Sequence, residues 1–275
     1  MLNLAGIAVD ALSIGGLETC IQLPGLDLAF DMGSCPPSAV HRSTVCFTHA
    51  HIDHMGGVAH HCATRALTHL GPPTYLVPAE NVDAFHDLLA VWRRLDRSEL
   101  DCHVVSMKPG QEHVVRPGLV AIPFRSPHRV PCIGYALWEE RNKLKPELQG
   151  LDGDRIRELK QSGQEVTTRI RAPIVAFTGD SLIDVVEREA VVREAKVLIM
   201  EVTFVDDRVS VAQCRDKGHI HLDEVIERAD LFQNQAILFT HLSARYRAEE
   251  AKAIVDARLP PSLRERTTLL VAGRP

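Results

Sequence analysis

The sequence predicts an α/β fold in which stacked β-sheets carry helices on their outer faces. Three observations predict it. Apolar runs rich in β-branched residues alternate with amphipathic stretches of helical period along most of the chain. Proline and glycine groups such as Gly71-Pro72-Pro73 and Lys108-Pro109-Gly110 punctuate these segments as turns. The chain has 275 residues, 45% of them hydrophobic, which is enough to bury one large core, so a single domain over 1–275 is expected.

In chain order, strands are expected at 19–23 and 26–31, the second ending on Asp31, and at 44–48, where Thr44-Val45-Cys46-Phe47-Thr48 is β-branched or apolar throughout. A helical period follows over 55–70, then a strand at 74–77 and a second helix over 79–95. Strands at 120–124, 133–139 and 174–178 come next. The last third alternates more regularly: helix 182–193, strand 197–202, helix 221–234, strand 236–240 and helix 248–257. Residues 140–171 break this rhythm with eight basic and six acidic side chains, and are expected to project from the core as an insertion, with a solvated helical hairpin as the plainest form. No repeat recurs at fixed spacing, so a solenoid is not indicated.

Composition narrows the function. The first cationic side chain is Arg42 and no 18-residue apolar run occurs, so neither a secretory leader nor a membrane span is expected, and the protein is read as soluble and cytoplasmic. The seven cysteines are scattered without a C-x-x-C pair and are expected to be reduced and mostly buried. A net charge of −5 argues against a protein that coats nucleic acid indiscriminately, though not against a local basic groove. Fourteen histidines are many, yet His41, His60, His61, His69, His86, His103 and His113 are read as ordinary surface or core residues.

The chemistry concentrates in Thr48-His49-Ala50-His51-Ile52-Asp53-His54-Met55-Gly56-Gly57, directly after the expected strand 44–48. In an extended segment side chains two apart point the same way, so His49 and His51 converge on one ion. Asp53 and His54 then begin a helix and face a second. Gly56 and Gly57 remove side-chain bulk where that helix must run close to the site. A short run cannot complete two metal sites, and three further residues stand just beyond strands: His128 in Ser126-Pro127-His128-Arg129, Asp180 in Phe177-Thr178-Gly179-Asp180, and His241 in Phe239-Thr240-His241. Each alone is commonplace. Their shared position at strand ends makes the joint case.

These residues resemble the short form of tRNase Z (ribonuclease Z), the tRNA 3′-processing endoribonuclease of the metallo-β-lactamase superfamily. The likeness runs from about Ala11 to Arg247. It includes Gly16-Leu17-Glu18-Thr19-Cys20, Phe30-Asp31-Met32-Gly33, the histidine run, Gly134-Tyr135 and Thr178-Gly179-Asp180. It continues through Glu201-Val202-Thr203-Phe204, Gly218-His219 and His241-Leu242-Ser243-Ala244-Arg245-Tyr246, the motifs that separate this family from lactamases and glyoxalases, and the pattern is nearest to plant-type short enzymes.

The resemblance implies the metallo-β-lactamase αββα sandwich, two stacked mixed β-sheets flanked by helices. It implies two zinc ions per subunit, with manganese or another divalent ion as a substitute: one held by His49, His51 and His128, the other by Asp53, His54 and His241, with Asp180 bridging and Asp31 orienting the ligands from behind. A water activated between the ions would attack phosphorus in line, with Asp53 as ligand and proton acceptor. His219 would be the general acid for the ribose 3′-oxygen, its ring held by Glu201, while His221 is a helix-start residue. Ser243 and Arg245 would bind phosphate oxygens, against the plainer reading of Arg245 as a surface ion pair; Tyr246 is left open between stacking on a base and packing.

In the family the insertion is an arm that grips the tRNA elbow, often from the partner in a homodimer. Here 151–163 is short, with Arg155, Arg157 and Lys160 opposed by Asp152, Asp154 and Glu158. The motifs from His219 to Tyr246 imply precursor tRNA as the substrate, and the resemblance implies a homodimer with no membrane partner. The acidic net charge and weak arm motivate one alternative, a binuclear phosphodiesterase for small phosphodiesters or cyclic nucleotides. A third reading, an RNA-binding scaffold with a decayed site, conflicts with the presence of every expected ligand.

Overall fold

Val197-Leu198-Ile199-Met200 is apolar at every position because the strand it forms is covered on both faces: Val197 and Ile199 face a core between two sheets, while Leu198 and Met200 face a core beneath helices. Such continuous apolar runs are what central parallel strands require. The computed structural model describes residues 1–271, and among them two seven-stranded sheets stack face to face. The first sheet orders β1 (Leu2–Leu4), β2 (Ile7–Ile14), β3 (Glu18–Leu23), β4 (Leu28–Phe30), β5 (Thr44–Cys46), β6 (Thr74–Pro78) and β7 (His103–Met107). The second orders β8 (His113–Arg116), β9 (Leu119–Arg125), β10 (Ile133–Leu144), β11 (Thr167–Phe177), β12 (Val197–Glu201), β13 (Ala236–Thr240) and β14 (Thr267–Leu269).

Both sheets follow one plan, three antiparallel pairings followed by three parallel ones. The fold is thus a topological duplication, although the sequence carries no matching repeat. Phe30 of β4 stacks on Phe177 of β11 at a centroid distance of 4.9 Å, joining equivalent strands of the two halves through the middle of the core.

Helices α1 (Ile52–Met55), α2 (Val58–Leu67) and α3 (Val82–Asp96) follow strands of the first sheet. Then come α4 (Gly153–Gln161), α5 (Asp184–Arg188), α6 (Ala190–Glu194), α7 (Val211–Asp216), α8 (Leu222–Glu227), α9 (Ala248–Arg258) and α10 (Pro261–Arg264). The expected helix 55–70 starts earlier and is broken at Gly56-Gly57, where the backbone docks on Met32 (Gly57 N–H to Met32 O, 2.8 Å). Helix 182–193 is split by Glu189, whose extended backbone separates α5 from α6. Helix 221–234 ends at Glu227 and continues only as a 3-10 turn. His221 is the N-cap of α8, its Nδ1 accepting from the Asp223 amide while Glu224 accepts from its own amide, a capping box.

The insertion expected at 140–171 does project, but it is no helical hairpin. Strands β10 and β11 run into it and pair out to Leu144 and Thr167, forming a two-stranded ribbon tipped by α4. The pairing with β9 stops at Glu139, so beyond that residue the ribbon leaves the sheet. Most of its cations are matched locally: Arg155 with Glu158 at 2.8 Å, Arg157 with Asp154 at 2.6 Å, and Arg169 and Arg171 with Glu140.

His61 shows what a satisfied core histidine looks like. It is buried; its Nδ1 accepts from the Tyr75 hydroxyl at 2.9 Å and its Nε2–H donates to the Arg42 carbonyl at 3.2 Å. Burial, helped by nearby Arg65, pushes its pKa from 6.5 down to about 4. A folded value below the unfolded one means that the contribution is intact above the unfolded pKa and is lost as the pH falls toward the folded one. Denaturant unfolding should therefore show wild type losing roughly 2–3 kcal/mol relative to His61→Gln between pH 7.5 and 4.5. An unchanged difference between the two proteins at both pH values would overturn this assignment.

Candidate metal centre and active site

In α/β sheets ligands collect outside the carboxyl ends of parallel strands, and here two such edges meet. Asp31 follows β4, His49 and His51 follow β5, His128 follows β9, Asp180 follows β11, Glu201 ends β12 and His241 follows β13. Asp53 and His54 sit in the short α1. All seven residues expected to hold metal are brought together. His49, His51, His128 and Asp180 form one group and Asp53, His54 and His241 another, the ligand atoms within each lying no more than 4.8 Å apart.

Asp180 stands between the groups. Its Oδ2 is 3.8 Å from His49 Nε2, while its Oδ1 is 3.3 Å from His54 Nε2 and 3.4 Å from His241 Nε2. Asp53 Oδ2 lies 3.5 Å from His241 Nε2 and accepts from the Gly16 amide at 3.1 Å. His49 Nε2 and His51 Nδ1 approach to 3.0 Å, close to the roughly 3.3 Å that two zinc–nitrogen bonds subtend at a tetrahedral angle.

Local backbone geometry produces this convergence. Asp31 and His241 both occupy the left-handed region, with φ of 56° and 59°, a conformation unusual for such residues and concentrated at functional sites. A Cβ at Gly33 would fall 1.8 Å from the Asp53 carbonyl, so only glycine lets the segment after Asp31 lie against α1. At Gly218 (φ 82°) a Cβ would fall 2.8 Å from His128 Nδ1, and that same nitrogen donates to the Gly218 carbonyl at 2.8 Å.

The cluster fits a cation. Four buried ligand atoms in it have no hydrogen-bond partner: His54 Nε2, His128 Nε2, Asp180 Oδ1 and His241 Nε2. Each unpaired buried polar atom costs about 1–3 kcal/mol, so a convergent set points to a positive charge as the missing partner. The carboxylates Asp31, Asp53, Asp180 and Glu201 find only histidines as ion-pair partners, never Lys or Arg, among the described residues.

Protonation states agree. Burial pushes the Asp180 carboxyl up, but the surrounding His241 and His54 rings outweigh it and hold the group well below the usual range. Burial also opposes ionisation of Asp53, yet His241 and His54 bring it down to about 2. Burial and neighbouring imidazoles keep His49 and His51 neutral, the form that ligates. His54 is the exception: burial lowers it, but Asp180 and Asp31 raise it well above its ordinary value, so a proton and a metal cation compete for this ring.

A cleft of about 460 Å³ opens over the cluster, lined by His51, His128, His219, His241 and Ser243 together with Arg129 and Lys217. That volume lies in the range of ligand pockets, roughly 300–1,000 Å³, and admits more than a bare ion. His219 Nδ1 donates to Glu201 at 2.9 Å, so the expected pairing of these two residues is present and the ring's far edge is free to face the cleft. Arg245 makes no ion pair among the described residues; its guanidinium lies over the Phe204 ring, 5.4 Å from the centroid, at the cleft margin. Tyr246 is buried, with its hydroxyl bonded to Asp206 at 3.0 Å and the Val205 amide at 3.2 Å, so it packs rather than presenting a stacking face.

Sequence reasoning passed over Arg129 and Lys217, although each lies within two residues of a site histidine. It also passed over the hydroxyls of Thr48 and Thr203, which bond to His49 and His241.

The fold and the His/Asp cluster define a metallo-β-lactamase-type protein, and a family model described as the Beta-lactamase superfamily domain matches residues 24–242. Arabidopsis thaliana tRNase Z TRZ1 is 43% identical over 274 residues, covering 99% of this chain and 98% of the relative. The chain belongs to the tRNase Z family, with the short, plant-type form. A second Arabidopsis relative, tRNase Z TRZ2, chloroplastic, is 36% identical over 92% of this chain and 72% of its own length. Among solved structures, human tRNase Z, short form (ELAC1), superposes with a TM-score of 0.60 at 19% identity, over 86% of this chain and 93% of that one. The Bacillus subtilis metallo-beta-lactamase fold protein YhfI gives 0.63 at 15%, over 96% and 95%. At those identities the structures speak for the fold alone. No helix among the described residues is long and apolar enough to cross a membrane.

Proposed function

We propose that this chain is a zinc-dependent endoribonuclease that removes 3′ trailers from precursor tRNA and leaves a 3′-hydroxyl on the tRNA. The full-length relationship to tRNase Z carries the substrate, and the metal-like cluster beneath an open cleft supplies the chemistry. In this reading 1–275 is one hydrolase domain. His49, His51 and His128 would hold one zinc, Asp53, His54 and His241 would hold the other, and Asp180 would serve both; manganese fits the same donors. When bound, the ion pair acidifies a water and offsets charge on the phosphate.

The chain's own residues do the rest. Asp53, ionised and fixed by the Gly16 amide, accepts a proton at Oδ2. His219, held at Nδ1 by Glu201, gives a proton from Nε2 to the departing ribose 3′-oxygen. Arg129, Lys217 and Ser243 line the cleft where phosphate oxygens lie, with Arg245 at its margin. Incubating the protein with end-labelled precursor tRNA and zinc or manganese should give a cut beside the discriminator base. If tRNA stays intact while a generic phosphodiester is hydrolysed, the substrate assignment is wrong and the small-phosphodiester reading replaces it.

We further propose a homodimer that works in the cytoplasm and grips tRNA with the ribbon at 140–171. Helix α3 exposes Leu88, Val91, Trp92 and Leu95, a stripe at helical spacing suited to a second copy. Light scattering should return twice the chain mass for wild type and the chain mass for Trp92→Glu with Leu95→Glu; a monomeric wild type would end the dimer proposal. All seven cysteines are free thiols, the state that a reducing compartment maintains.

A further inference from the structure

We infer that Thr48 and Thr203 are paired positioning residues, each locking one histidine of the metal cluster to a buried carboxylate that also holds a second histidine. The inference rests on the metal-centre reading above and deepens it.

The first hub is Asp31, fully buried. It accepts the Thr48 amide at 2.7 Å and His54 Nδ1–H at 2.8 Å, and both its oxygens lie within 3.1 Å of the Thr48 hydroxyl. A hydroxyl has one proton, and the carboxylate takes it. The oxygen of Thr48 is then an acceptor only, and it meets His49 Nδ1 at 3.0 Å. That nitrogen must carry the hydrogen, so His49 presents a bare Nε2 to the cluster.

The second hub is Glu201, equally buried. It accepts the Ser181 amide at 2.7 Å, the Ile220 amide at 3.1 Å, His219 Nδ1–H at 2.9 Å and the Thr203 hydroxyl at 2.6 Å. Thr203 Oγ1 in turn accepts from His241 Nδ1 at 3.1 Å, leaving His241 Nε2 bare and without a hydrogen-bond partner. Each half of the duplicated fold thus carries the same device: a carboxylate at a strand end, one histidine bonded directly, and one through a threonine hydroxyl. The halves differ in what the direct histidine does. Asp31 holds two cluster residues, whereas Glu201 holds the cluster residue His241 and the acid His219.

Valine keeps threonine's shape and removes the hydroxyl, leaving the imidazole N–H unpaired and cutting its link to the carboxylate, whose oxygens keep the backbone amides of residues 48 and 220. Zinc titrations against a chromophoric chelator should show Thr203→Val weakening by about 10–100-fold the same binding step that His241→Ala abolishes, and Thr48→Val the step that His51→Ala abolishes. Thr48→Ser and Thr203→Ser should restore both. Should a valine variant not fold, the alanine variants, which add no unmatched methyl contact, carry the same expectation. Wild-type affinities in the hydroxyl-free variants, or weakened binding that serine fails to restore, would overturn the inference. Precursor tRNA cleavage by wild type is assayed in parallel: selective zinc loss in the variants alongside uncleaved tRNA upholds the positioning role while sinking the substrate assignment.

Discussion

Asp180→Ala should strip both proposed metal ions from the protein and abolish cleavage of precursor tRNA. Among the described residues no other faces both ligand groups through opposite oxygens: Oδ2 lies 3.8 Å from His49 Nε2, and Oδ1 lies 3.3 Å from His54 and 3.4 Å from His241. Losing even an outer partner of a ligand costs about 10–100-fold in metal affinity, so losing a direct ligand should cost more than about 100-fold at each site. Asp53→Ala, by contrast, should empty one group and leave the other. The fold should tolerate the change, because residue 180 is also held through its backbone carbonyl, which accepts from Cys132 Sγ at 3.3 Å. Metal counting after exhaustive dialysis, with Asp180→Asn as a control of equal size, reads the result directly. Retention of one ion at wild-type affinity would show that Asp180 belongs to a single site and that the two-group arrangement is wrong.

Why the candidate ligands were legible and their supports were not follows from what each must do. A zinc ligand is drawn from His, Cys, Asp and Glu, and the run from His49 to His54 declares itself by residue type alone. Thr48 and Thr203 look like any β-branched residue at a strand end; only folding reveals that their hydroxyls meet His49 and His241. The outer parts of β10 and β11 escaped for a related reason. They carry polar side chains on both faces, so no apolar alternation marks them, and they persist as strands through cross-strand pairing and ion pairs such as Arg171 with Glu140 at 3.2 Å. The edge strands β1, β8 and β14 have three or four residues each, too few for a period to register. Helix boundaries failed where glycine or a single extended residue interrupted a continuous amphipathic pattern, at Gly56-Gly57 and at Glu189.

His219→Ala should keep both ions and still slow tRNA cleavage by about 10²–10⁴-fold, the range expected for loss of a general acid. The argument begins with the leaving group. A ribose 3′-oxygen departs poorly as an alkoxide, so a proton must reach it as the bond to phosphorus breaks. His219 is suited to deliver that proton: burial alone would lower its pKa, but the Glu201 carboxylate at 2.9 Å, with Asp180 beyond it, raises it to about 9, so the ring is protonated at neutral pH. A competing role exists, because His219 also lies within ligand reach of Asp180 and His241. The two roles separate on substrate chemistry. A nitrophenyl phosphodiester expels a phenolate that needs no proton, so removing an acid should slow it far less than it slows tRNA. Removing a ligand would strip metal and slow both substrates alike. Equal losses on the two substrates, accompanied by a fall in bound metal, would reassign His219 from acid to ligand.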